Sequence, residues 1–258
     1  MSSARKQLNT ALVPRKAGTP FVGCAGWALP PNVVEHFPRE GSHLTRYAGR
    51  FHAVEINSSF YRPHRRGTYE NWAASVPRTF RFAVKIPKLI THEQRLARSA
   101  KPLDKFIGEV TGLGAKLGCL LVQLPPSLDL KTRTATSFFS ALRDRYSGMV
   151  VVEPRHKSWF SPAADKLLLA HRISRVAADP ALVTAAAMPG GWAGIRYFRL
   201  HGSPRMYYSS YGAEYLDALA ARLAVLAKSR SPVWCIFDNT AYGVATGNAL
   251  DLMRRLHR

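Results

Sequence analysis

No stretch of this 258-residue chain holds the roughly 18 consecutive apolar residues that a membrane-spanning helix needs. The first 19 residues have no continuous apolar segment, so they lack the form of a secretory signal. There are only three cysteines, Cys24, Cys119 and Cys235, and no CxxC or zinc spacing joins them. Each lies in or beside an apolar run, which reads as a buried, reduced thiol in a cytoplasmic protein. No GxGxxG follows the first apolar run, so a dinucleotide-binding open sheet lacks support. GxSxG, P-loop and kinase signatures are missing, and no cysteine stands beside a histidine at a strand end. Acidic residues are scarce: 16 against 37 basic ones, a formal net charge of +21.

A field of that sign attracts nucleic acid, phosphorylated metabolites or anionic lipid, although a compositional bias toward arginine produces the same excess. Residues 1–19 hold four bases and no acid, broken by Pro14 and Gly18, and read as a flexible basic tail. The rest, 20–258, reads as one domain with an ordinary 47% hydrophobic fraction.

Eight short apolar runs rich in Val, Ile and Phe end in polar or turn residues: 21–25, 53–56, 82–86, 120–123, 150–153, 176–178, 197–200 and 233–237. Helical patterns separate most of them, at 44–50, 69–75, 103–117, 135–146, 163–171, 214–228 and 248–256. Ser161 and Pro162 have the form of an N-cap followed by the first helical position. Alternation at β/α-unit spacing predicts an α/β fold, a TIM (β/α)8 barrel. The sixth unit has too little chain for a full helix before Gly190 and Gly191, so it is expected to be irregular or shortened.

Six segments carry a family resemblance: VEINSSFYR (54–62), RFAVKIPKLITH (81–92), LLVQLPPS (120–127), VEPRHKSWF (152–160), YFRLHG (197–202) and FDNTAYGVATGNAL (237–250). In this order they resemble the YecE-like family, domain of unknown function 72. The resemblance implies a TIM barrel and leaves the activity open. The family's fold is similar to that of phosphodiester-cleaving barrels of the endonuclease IV type, which makes nucleic acid a candidate partner by analogy alone. Pro154 stands where the family usually has Phe, and the helix after the seventh strand lacks the family's common Trp.

In such a barrel the strand C-termini converge on one face. Glu55 and Glu153 are the candidate general acid/base pair there, assisted by His156 and His201. The candidate ligand-binding set is Asn57, Tyr61, Lys85, Gln123, Arg155, Trp159, Arg199, Asp238 and Asn239. Arginine forks match phosphate oxygens, and rings such as Tyr61 and Trp159 stack on bases or sugars. The same acids and bases equally form satisfied ion pairs. With Asp179 and Asp238, the rim has the ligand types for a divalent metal, but no spacing motif supports one and the cofactor is unknown. The segment RMYYSSYG (205–212) reads as a mobile rim loop.

The expectation is therefore a phosphate-binding barrel, a candidate hydrolase of phosphodiesters or nucleic acid. A non-catalytic nucleic-acid-binding barrel and a sugar or small-metabolite enzyme are the alternatives. An anionic or phosphate-bearing ligand is the expected partner, with no membrane association.

Overall fold

The structure is a computed structural model and describes residues 18–257. All but the last two residues of the expected basic tail lie outside the described residues. Strand β1 is Phe21–Cys24, β2 Ala53–Ile56, β3 Arg81–Lys85, β4 Leu117–Gln123 and β5 Val150–Glu153. They are followed by β6 (Ser174–Arg175), β7 (Ala177–Asp179), β8 (Gly190–Gly191), β9 (Arg196–Leu200) and β10 (Val233–Phe237).

The chain is an α/β fold with two mostly parallel sheets. One has the order β1-β10-β9-β7 and the other β2-β3-β4-β5-β6-β8. Two seams join them. At the first, Ala25 bridges Glu55 in parallel, and the Gly26 amide donates to the Glu55 carbonyl at 2.9 Å. The second is the single extended stretch that carries β6 and β7. Its front half pairs with β5 and its rear half with β9, while the Val176 amide between them donates to the Val152 carbonyl at 2.9 Å. At the first seam Gly23 lies so near β2 that a Cβ there would stand 2.1 Å from the Ala53 carbonyl oxygen.

Buried apolar side chains fall into two clusters, as the two-residue period of the strands requires. Val54 and Ile56 of β2, Phe82 and Val84 of β3, and Val150 and Val152 of β5 pack outward with the helices. Their sequence neighbours Ala53, Ala83 and Val151 pack on the other face with Phe21, Leu121, Val176, Tyr197, Trp234 and Ile236. Within the second cluster the rings of Phe21, Trp234 and Tyr197 stack, with centroids 4.8 and 5.9 Å apart. Cys24, Cys119 and Cys235 are free and buried, and burial pushes the Cys24 thiol up to about 12.

The helices are α1 (His43–Ala48), α2 (Ser58–Tyr61), α3 (Arg66–Ala74), α4 (Ala100–Val110) and α5 (Thr132–Arg145). Then come α6 (Pro162–Ala170), α7 (Ala213–Ala227) and α8 (Val244–Leu256). Ser161 caps α6 by accepting from the Ala164 amide, with Pro162 in the first turn, as expected. The expected helix 103–117 ends sooner: α4 stops at Val110 and gives way to a 3₁₀ turn in which Gly114 takes φ 53°. The sixth unit is indeed irregular. Between β7 and β9 lie only a 3₁₀ turn, Thr184–Ala187, and β8, which runs antiparallel to β6. Among the described residues, no helix is long and apolar enough to cross a membrane.

Candidate functional site

The inner faces of the strands carry a charged layer above the apolar one. On β2, Glu55 follows Ala53 by two residues; on β3, Lys85 follows Ala83; on β5, Glu153 follows Val151. In the same way Arg199 follows Tyr197, and Asp238 follows Ile236 just past the end of β10. The alternation that puts an apolar residue inward therefore puts its second neighbour inward at the strand's C-terminal end.

Arg199 is the hub. Its Nη2 donates to Glu55 Oε1 at 2.7 Å and lies 3.0 Å from Asp238 Oδ2, and its Nη1 donates to Glu153 Oε2 at 3.1 Å. Nε completes a two-pronged contact with Glu55, which also accepts from the Tyr197 hydroxyl at 2.8 Å. Arg199, Glu55 and Glu153 are fully buried. Burial disfavours the Arg199 charge, but Asp238, Glu55 and Glu153 more than offset this and raise its pKa. Burial likewise opposes the Glu153 charge, and Arg155, His201 and Arg199 override it, holding that carboxyl well below the usual range. Asp238 is lowered against its own burial by Arg199 and His201. The guanidinium thus occupies the place among three carboxylates where a cation would sit. Among the described residues, no group of three or more His, Cys, Asp or Glu side chains is arranged to hold a metal ion.

His201 lies between two acids, with Nδ1 3.0 Å from Asp238 Oδ2 and Nε2 2.8 Å from Glu153 Oε1. Arg155 Nη2 is 2.8 Å from both His201 Nε2 and Glu153 Oε1. An imidazolium donates to both carboxylates. A neutral ring protonated at Nδ1 keeps Asp238 and accepts from Arg155. Either way Asp238 keeps its bond from Nδ1, while the neutral ring sets the Nε2 lone pair against the Glu153 oxygen as well as the Arg155 donor.

Two bases retain free capacity. The Arg155 side chain is 14% exposed; its Nε is buried without a partner and its Nη1 reaches only the Met206 sulfur, at 3.9 Å. The Lys85 carbonyl accepts from the Ser59 hydroxyl at 2.7 Å, but its amine makes no hydrogen bond or ion pair among the described residues, and Nζ stands 3.9 Å from the centroid of the Phe60 ring. Burial, then the neighbouring Arg199 charge, brings its pKa down to about 8, with partial opposition from Glu55, Asp238 and Glu153.

Other expected site residues lie apart from this cluster. His156 bonds within its own turn, its Nδ1 2.8 Å from the Ser158 hydroxyl. Trp159 is buried with Phe139 at its edge, and its indole donates to the Leu128 carbonyl at 3.0 Å; it offers no free face for stacking. Tyr61 is 69% exposed and lines a separate surface cavity of about 290 Å³ with Leu89, Phe106 and Glu109. Asp179 shares the outward face of β7 with Ala177 and accepts from the Tyr211 hydroxyl at 2.8 Å. Gln123 is the exception: it follows the inward Leu121 by two residues at the end of β4, in register with Glu153, and so falls in the charged layer, while Asn57 has a buried, unpartnered Oδ1.

Asn239 donates to the Ser209 carbonyl and to Asn248 Oδ1, which also accepts from the Tyr211 amide. These bonds pin the segment 205–212 expected to be mobile. The Gly202 amide donates to the Tyr211 hydroxyl, and the Tyr207 ring meets His201 edge-on at 5.7 Å. Tyr207 holds φ 69°, a conformation that costs a non-glycine residue energy. A cavity of about 420 Å³ opens beside this loop, lined by Arg155, Met206, Pro154 and Phe160. The reading from sequence missed Tyr197, Met206 and Asn248. Tyr197 was legible in principle, since Tyr197, Arg199 and His201 share one strand parity.

Solved structures of this fold exist. A DUF72 family protein from Thermotoga maritima MSB8 superposes with a TM-score of 0.76 at 23% identity, over 93% of this chain and all of that one. One from Enterococcus faecalis V583 gives 0.76 at 19% identity, over 92% and 94%. In sequence, the chain is 27% identical over 148 residues to the UPF0759 protein YunF of Bacillus subtilis (strain 168), covering 55% of this chain and 52% of that protein. It is 26% identical over 151 residues to the UPF0759 protein YecE of Escherichia coli (strain K12), covering 58% and 53%. The matched region thus spans about half the length of these curated relatives. The model of the family described as "Protein of unknown function DUF72" matches residues 21–258, which takes in every strand that supplies the charged layer, and the chain belongs to that family.

Proposed function

We propose that the two sheets close into one (β/α)8 barrel and that the charged layer at its strand ends is an active site for a phosphate-bearing ligand. Closure is supported by the Ala25–Glu55 bridge and by the stretch shared between β5 and β9. The observation that carries the site is Arg155: a guanidinium anchored by Glu153 and lining a cavity, whose Nη1 meets only the Met206 sulfur, at 3.9 Å. An anion at that cavity would satisfy it.

The reaction class is acid/base chemistry on the bound phosphate ester, with phosphodiester hydrolysis first among the candidates. His201, oriented by Asp238, is the proton donor and acceptor. Glu55 and Glu153, paired with Arg199, position the charged groups rather than exchange protons. The three buried, free cysteines fit a reducing cytoplasm.

The test is calorimetric titration with inorganic phosphate, together with turnover of bis(p-nitrophenyl) phosphate. Arg155→Ala should weaken phosphate binding by about tenfold or more, the scale of one charge-assisted hydrogen bond. His201→Asn should abolish turnover while leaving phosphate affinity near that of the parent. Phosphate binding unchanged by Arg155→Ala would overturn the site.

A second reading, a nucleic-acid-binding barrel, is favoured by one cluster. Arg205 stacks on Tyr208 at 4.0 Å, and Tyr208 meets the 69%-exposed Tyr242 edge-on at 4.9 Å. Rings and arginines so placed suit unstacked bases. This reading requires oligonucleotide affinity that falls steeply with salt; a salt-insensitive interaction, or none, removes it.

A further inference from the structure

We propose that Lys85 is a nucleophile that condenses with the carbonyl group of a small anionic aldehyde or ketone, forming a Schiff base. The proposal rests on reading the charged layer as a ligand site and names the substrate class that site takes.

Three observations on the geometry carry it. First, Lys85 is an inward residue at the end of β3, only 5% exposed, yet no acceptor binds its amine among the described residues. The three nearby carboxylates are engaged by Arg199, Arg155 and His201. A structural lysine in such company would be expected to take an ion pair. Second, the amine lies over the Phe60 ring, which His92 meets edge-on at 4.9 Å, and not against an oxygen. Among the described residues, the sealed, unpartnered side-chain polar atoms are Asn57 Oδ1, Gln94 Oε1, Arg155 Nε, Arg175 Nε and Asn239 Oδ1. Lys85 Nζ is absent from that set, so it keeps contact with solvent. Third, the groups that such a reaction needs border the same layer: Arg155 to hold the anion and His201 to carry a proton.

Burial and the Arg199 charge, which bring Lys85 down to about 8, keep a substantial fraction of the amine neutral near pH 8. The neutral lone pair adds to the carbonyl carbon, the C–O π pair moves to oxygen, and the proton lost from nitrogen passes to that oxygen. The resulting carbinolamine loses its hydroxyl as water, taking a proton from the His201 imidazolium, and leaves a protonated imine on Nζ. No oxidant or reductant is consumed. The iminium charge meets the same burial and Arg199 repulsion as the ammonium it replaces, offset in part by Glu55, Asp238 and Glu153, which keeps it reactive. It withdraws electrons from the adjacent C–H or C–C bond, which is the bond such a site would break.

The test is borohydride trapping of the full chain with dihydroxyacetone phosphate at pH 8, followed by peptide mapping. Calorimetry with the same compound runs in parallel, and phosphate-free dihydroxyacetone serves as the anchor control. Lys85 should be labelled about tenfold or more faster than the exposed lysines. The preference should shrink with phosphate-free dihydroxyacetone. Lys85→Arg should lose the selective adduct and keep the background. Adducts on exposed lysines with none on Lys85 overturn the proposal. Binding of dihydroxyacetone phosphate without a Lys85 adduct overturns this step and keeps the ligand site; neither binding nor adduct removes both.

Discussion

Arg199 Nη2 stands 2.7 Å from Glu55 Oε1, and both side chains are sealed from solvent. Removing one member of such a pair leaves the other as an uncompensated buried charge, here in company with Glu153 and Asp238. Arg199→Met should therefore cost about 3–5 kcal/mol. Denaturant unfolding measures it, and a loss below about 1 kcal/mol would show that the carboxylates reach water or take up protons cheaply.

Acid should destabilise the fold through the same cluster. Glu153 and Asp238 have folded-state pKa values below their unfolded ones. Their stabilising contribution is complete above the unfolded range near pH 4 and is lost as pH falls through the folded values. Unfolding midpoints should thus drop progressively below about pH 5. Glu153→Gln should flatten that slope; an unchanged slope would place the acid sensitivity elsewhere.

Lys85 has the opposite sign to an ion-paired lysine. Its folded pKa, about 8, lies below the ordinary 10.5, so the folded state binds fewer protons between those values. Folding is penalised below pH 8, and the penalty fades as pH rises from 8 toward 10.5. Lys85→Met should raise stability at pH 7 by up to about 3 kcal/mol, with the advantage shrinking at high pH. A destabilised variant at pH 7 would contradict the desolvated amine.

Gly23→Ala should be among the most damaging small substitutions in the chain. The added Cβ would meet the Ala53 carbonyl at 2.1 Å and force β1 from β2 at the seam beside Glu55. A cost of several kcal/mol is expected, on the scale of severe core overpacking. Thermal unfolding reads it directly.

Trp159→Phe separates structure from ligand. It leaves the Leu128 carbonyl without its donor, at a cost of about 1–3 kcal/mol. Phosphate affinity should not change. A selective loss of affinity with intact stability would return Trp159 to the binding surface.

The strands were legible because short Val-, Ile- and Phe-rich runs buried on both faces leave a plain signal. The split of the sixth strand around Val176 and the two-residue β8 were not, since such short pairings depend on partners distant in sequence. The inward acids Glu55, Glu153 and Asp238 could be named from position at strand ends. Asp179 looked equivalent, yet it shares the parity of Ala177 and faces the helices. His156 and Trp159 follow β5 in a turn, where no strand period dictates direction, so proximity in sequence to Glu153 misled. Arg199 appeared as one base among several; its place as the shared partner of three acids is set by tertiary geometry.

In the closed barrel proposed above, the stacked rings of Phe21, Trp234 and Tyr197 would make the interior a cup rather than a tube. With this aromatic floor one layer below Arg199, a guest of the proposed site would enter from one side only and sink no deeper than the charged tier. Any long polymer would have to lie across the brim and dip a single unit inside. Changes of guest during evolution would then be written in the brim loops, while the floor stayed as it was.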